Sequence, residues 1–125
     1  MTTPAAGASG WLTTHVLDTM SGEPGAGIEV ELFRVTGERT ERVAKVSTNA
    51  DGRSAAPLLQ GREFGPGVYE LRFHVGAYFR THGVALAEPA FLDVVPIRFG
   101  VADAARHHHV PLLISPFGYS TYRGS

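Results

Sequence analysis

The chain contains no cysteine. Disulfide bridges, thiol nucleophiles and zinc-thiolate sites are excluded together, so its 125 residues must be held by packing and association. Lysine is almost missing too: Lys45 stands alone beside ten arginines, a skew of composition that points to no function. No uninterrupted apolar run approaches the roughly 20 residues that a membrane helix requires. Residues 1–10 have neither the basic nor the apolar segment of a secretory signal. These absences predict a cytoplasmic protein with a flexible leader over 1–10 and one folded domain over 11–125. Surplus charge is also lacking. A net charge of -1 gives no steering field for polyanions, so neither nucleic acid nor membrane is an expected partner.

What the chain does have is alternation. Val68 to Val75 places Tyr69, Leu71, Phe73 and Val75 on one face and Glu70, Arg72 and His74 on the other, the period-two pattern of a half-buried strand. Ile28 to Arg34 repeats it less cleanly. Further strands are expected over Trp11 to Thr19, Val43 to Ser47, Phe91 to Phe99, Arg106 to Ile114 and Gly118 to Tyr122, with a short extended piece over Ser54 to Leu59. Clusters of turn formers separate them: Ser21 to Gly25, a hairpin over Val35 to Arg42 around Gly37, Asn49-Ala50-Asp51-Gly52, and the Gly and Pro loop Gly61 to Gly67. Ala77 to His82, stopped by Gly83, is the one predicted helix. The fold class that follows is all-β: a two-sheet sandwich of seven to eight strands with one short helix.

On the strand Arg106 to Ile114, His108, Val110, Leu112 and Ile114 share the face that suits a core. His109 therefore points away from the interior, yet Pro111 and Leu113 beside it are apolar. A second burial surface, most simply a subunit interface, reconciles the two. His107 and His109 point the same way and, with His15 from another strand, would supply three imidazoles to zinc or copper; no carboxylate partner or spacing motif supports that metal. Taken singly, His15 reads as a structural histidine, Arg53 as a solvated turn arginine and Tyr122 as a packed aromatic. The chain end is different. Tyr119-Ser120-Thr121-Tyr122-Arg123-Gly124-Ser125 is dense in aromatic, hydroxyl and guanidinium groups, which predicts a docked tail rather than a frayed one.

That ending, with His109-Val110-Pro111-Leu112-Leu113 before it and Thr14-His15-Val16-Leu17-Asp18 near the start, resembles the 5-hydroxyisourate hydrolases, a transthyretin-related family of purine catabolism. The resemblance runs from about Leu12 to Ser125, and Tyr122-Arg123-Gly124-Ser125 is its specific part. Three departures stand out: His108 where the family usually has Tyr, Phe117 where it often has Tyr, and a hairpin over Val35 to Arg42 that looks slightly long. The last bears on where Arg53 falls.

The resemblance implies a transthyretin-like fold of two four-stranded sheets, a homotetramer with sites at the subunit interface, and no cofactor. The implied reaction is hydrolysis of the ring amide of 5-hydroxyisourate to 2-oxo-4-hydroxy-4-carboxy-5-ureidoimidazoline. His15, Arg53, His109 and Ser125 map onto the family's catalytic positions; His15, Arg53, Tyr122 and Arg123 map onto substrate binding. Water attack on an amide needs a base and fixed donors for the oxyanion. Imidazole suits the first role and the planar, permanently charged fork of Arg53 the second. A non-enzymatic transthyretin-like carrier of a small ligand and a purely structural sandwich module are the competing readings.

Overall fold

The computed structural model describes residues 10–124. Among these residues are nine strands in two sheets, one α-helix and a 3-10 turn at Gly61–Glu63: β1 Trp11–Asp18, β2 Glu23–Pro24, β3 Glu29–Thr36, β4 Arg39–Ser47, β5 Leu59–Gln60, β6 Gly67–His74, α1 Val75–Thr81, β7 Val94–Val101, β8 His107–Ser115 and β9 Gly118–Thr121. Seven of these strands are longer than two residues, within the expected range. One sheet has the order β4-β3-β6-β7; the other runs β2-β1-β8-β9, with β5 also paired to β1. The second sheet is thus five-stranded rather than four-stranded. Its extra member arises because the free edge of β1 is covered piecewise: Leu17 and Asp18 face β2, Trp11 and Leu12 face β5, and His15 between them makes a single bridge to Arg53.

The core lies between the sheets where the alternating faces meet. Leu12, Val16, Val30, Leu32, Leu71, Phe73 and Leu112 are fully buried, each worth roughly 1.5–3 kcal/mol in transfer from water. β1 alternates strictly, with Leu12, Thr14, Val16 and Asp18 inward. The two polar members are satisfied. Thr14 Oγ1 donates to the Val110 carbonyl at 2.8 Å, while Asp18 accepts from the Tyr78 hydroxyl at 2.8 Å and from the Met20 amide at 2.9 Å. Burial pushes the Asp18 carboxyl up, but these hydrogen bonds outweigh it and leave the group below its ordinary value.

Four expectations shift in detail. The hairpin over Val35 to Arg42 is no loop: β3 and β4 stay paired through Thr36↔Arg39, leaving only Gly37 and Glu38 in the turn. Gly37 has φ +62°, which a two-residue hairpin favours, and the surplus length is taken up by a bulge between Leu32 and Phe33. β7 begins at Val94, not Phe91, because the Asp93 carbonyl accepts from the Gly76 amide at 3.0 Å and ties that segment to α1 instead of the sheet. α1 begins at Val75, directly off β6, and buries Tyr78 and Phe79. Gly10, assigned to the leader by sequence, is buried against Ala104 and accepts from the Gly61 amide. No helix among the described residues is long and apolar enough to cross a membrane.

Candidate active site

β1 and β8 run parallel, and their register sets the site. Trp11 lies opposite His107, Thr13 opposite His109 and His15 opposite Pro111, all on the outer face of the sheet. The same alternation sends His108 inward, where it is buried and meets the Phe64 ring edge-on at 5.5 Å. The residue that departs from the family pattern therefore sits on the opposite side of the strand from His109.

Thr13 Oγ1 lies 2.7 Å from His107 Nε2 and 2.8 Å from His109 Nδ1, linking the two imidazoles through one hydroxyl. Trp11 stacks on His107 with centroids 4.5 Å apart and planes 11° from parallel. Neither residue carried a role in the sequence reading beyond strand formation or metal binding. The available signal was that Thr13 and His15, two apart on a strand, share a face.

Arg53 arrives from the turn after β4. Asn49 Oδ1 accepts from the amides of Asp51 and Arg53 at 2.9 and 3.1 Å, and the Gly52 carbonyl accepts from the Val16 amide at 2.9 Å. Gly52 is required twice over: its φ is +77°, and a Cβ there would lie 2.5 Å from the Val16 carbonyl oxygen. This turn locks Arg53 into its bridge with His15. The hairpin's length does not disturb it.

An open cleft of about 310 Å³ results, lined by Thr13, Thr14, Arg53, Ser54, His107 and His109. Among the described residues no carboxylate lines it. His109 is held below the ordinary histidine pKa by burial first, then by the charges of Arg53, His107 and His15. Burial and Arg53 lower His15 likewise, against an opposing pull from Asp51. Both imidazoles are therefore neutral near pH 7, beside a permanent cation. That combination offers proton acceptors and an oxyanion partner to a carbonyl-rich, electron-rich molecule.

Among the described residues the tail meets this cleft at Gly124. The Gly124 amide donates to the His109 carbonyl at 2.8 Å, and a Cβ on Gly124 would stand 2.5 Å from His109 Cδ2. Tyr122 and Arg123 do not enter the cleft in the single subunit; they line a second cavity of about 250 Å³ with Arg98, Phe99 and His108. Ser125 lies outside the described residues.

The three histidines do not form a metal-ligand set. Among the described residues the one group whose ligand atoms lie within 4.8 Å of one another is Glu29, Glu31 and His74, on the other sheet, where Arg42 and Lys45 already pair with the carboxylates.

Residues 12–124 match the model of the HIUase/Transthyretin family. The chain belongs to this family. A 5-hydroxyisourate hydrolase of Pseudomonas aeruginosa is 60% identical over 116 residues, covering 93% of this chain and 92% of that relative. Among solved structures, Klebsiella pneumoniae 5-hydroxyisourate hydrolase superposes with a TM-score of 0.76 at 37% identity, covering 92% of this chain and 99% of that one. An (S)-allantoin synthase superposes with a TM-score of 0.89 at 44% identity; the match takes in 94% of this chain but 44% of that longer one. The all-β, two-sheet sandwich expected of the family is the fold observed.

Proposed function

We propose that this chain hydrolyses 5-hydroxyisourate to 2-oxo-4-hydroxy-4-carboxy-5-ureidoimidazoline in urate catabolism, working in the cytoplasm as a homotetramer whose sites lie where subunits meet. The observation that carries the reading is the cleft itself: His109 and Arg53 line it and His15 is paired beside it, with no carboxylate among the described lining residues. The name shared by relatives at up to 60% identity supports the substrate.

His109 and His15 share water activation and proton transfer, and Arg53 orients the substrate and stabilises the oxyanion. An imidazole with a lowered pKa is a weaker base than usual but is present in its neutral form, which water activation needs. Arg53 stays charged throughout and can hold a carbonyl edge in two places. Ser125 is the next residue after Gly124, which is bonded to His109, and it contributes a hydroxyl to substrate. Tyr122 and Arg123 have no place in the cleft of one subunit, so the reading rests first on the two histidines and Arg53.

A small-ligand carrier is disfavoured by the same observation, since a cleft of imidazoles and guanidinium is poorly matched to an apolar ligand. The test is the ultraviolet decay of 5-hydroxyisourate generated in place from urate, with wild-type protein and with His109→Ala. Acceleration that the variant loses by about a hundredfold to ten-thousandfold supports the hydrolase. Decay no faster than the spontaneous rate, from folded wild-type protein, removes it.

A further inference from the structure

Thr13 has a single hydroxyl proton and two imidazole neighbours at hydrogen-bond distance, His107 Nε2 and His109 Nδ1. A hydroxyl donates once and accepts through its lone pairs. With both rings neutral, one ring must present an N–H to Thr13 and the other a lone pair, so the hydroxyl couples the tautomer of His109 to that of His107.

Two arrangements satisfy the chain. In the first, His109 Nδ1–H donates to Thr13 Oγ1, whose own proton goes to His107 Nε2. In the second every bond is reversed, and His109 carries its hydrogen on Nε2. Arg53 lines the same cleft as His109, and its positive charge favours a lone pair over an N–H at the nitrogen that Thr13 does not hold. We propose that Thr13 is a positioning residue: it holds His109 in the Nδ1–H tautomer, leaving Nε2 free to accept a proton, with His107 as the terminal acceptor of the chain. The inference rests on the reading of His109 as a proton acceptor.

Other features serve the same arrangement. The parallel register places Thr13 directly opposite His109, so the backbone sets the distance and no long side chain need be ordered. His107 is clamped by its stack on Trp11. The Gly124 amide bonds the His109 backbone carbonyl and leaves the ring nitrogens unclaimed. Among the described residues, the charged or titratable groups acting on His109 are Arg53 from the turn after β4, His15 on β1 and His107 on β8 itself. None of these described groups is an acid that could hold the tautomer in place of Thr13. The arrangement also gives a protonated His109 an outlet. Its Nδ1 proton can pass to Thr13 as the Thr13 proton passes to His107 Nε2, which leaves His109 neutral and moves the positive charge one residue pair away from Arg53.

The experiment uses wild type, Thr13→Val, which keeps the β-branched shape without the hydroxyl, and Thr13→Ser, which keeps the hydroxyl. Nitrogen-15 spectra of the histidine rings are read alongside the pH profile of turnover. Wild type should show His109 protonated at Nδ1 and bare at Nε2. Thr13→Val should lose that preference and about a hundredfold in kcat, with KM little changed and the acid limb displaced; Thr13→Ser should restore both. A wild-type His109 protonated at Nε2, or a Thr13→Val protein with wild-type spectra and kcat, overturns the proposal. Should wild type fail to hydrolyse the substrate, the hydrolase reading falls while the spectra still decide the tautomer.

Discussion

Replacing Gly124 with Ala tests the contact between tail and histidine. An added Cβ would lie 2.5 Å from His109 Cδ2 where ordinary contact begins at 3.4 Å, so ring or tail must yield by about 0.9 Å, the difference. Cγ and Cβ of His109, at 3.2 and 3.3 Å, leave little room to slide sideways. If the ring turns, its 2.8 Å bond to Thr13 is lost; if the tail lifts, the 2.8 Å bond from the Gly124 amide goes instead. A misplacement approaching 1 Å at a reacting group costs on the order of a hundredfold in rate. The strain sits at the chain end, so the change in stability should stay under about 1 kcal/mol. We therefore expect Gly124→Ala to keep its melting temperature and assembly while kcat for 5-hydroxyisourate decay drops by roughly ten- to a hundredfold. A ring movement appears mainly in kcat, a lifted tail in KM as well. Wild-type kcat and KM in a folded variant would refute the steric reasoning.

Arg53→Gln removes one of the charges that keep His15 and His109 below the ordinary histidine value. Their pKa values then rise toward that value, protonation sets in at higher pH, and the acid limb of kcat/KM should move up the pH scale; an unmoved limb would detach Arg53 from those groups. Tyr78→Phe deletes the 2.8 Å hydrogen bond to buried Asp18 and should lower stability by roughly 1.5–3 kcal/mol in denaturant titration, with turnover per folded molecule unchanged. Deleting Tyr122 to Ser125 removes the Gly124 anchor while leaving β9 paired, so circular dichroism should report an intact sandwich and the decay assay no acceleration.

Much of this was legible residue by residue because period-two patterns are local. The alternation on β8 by itself separates His108 from His109, and the Asp51-Gly52-Arg53 turn announces itself through its glycine. What stayed hidden was pairing. Thr13 gains its role only from lying opposite His109, a parallel contact across 96 positions that no local pattern encodes. Glu70 was read correctly as facing away from the core, yet it is buried, because Arg72 and Arg98 close over it at 2.7 and 3.0 Å. The start of β7 was misjudged for a related reason: Phe91 looks like strand, but the segment before Val94 is held by α1.

The parallel union of β1 with β8 has a consequence for how the molecule comes into being. β1 leaves the ribosome well before β8, because residues 19–106 lie between them. Until β8 emerges, β1 has no neighbour on that side, and the half-built sheet must wait with an open edge. Closing it requires joining residues 96 positions apart, the slow kind of contact for a folding domain. The cleft draws on both strands, so it cannot form before β8 has emerged and paired with β1.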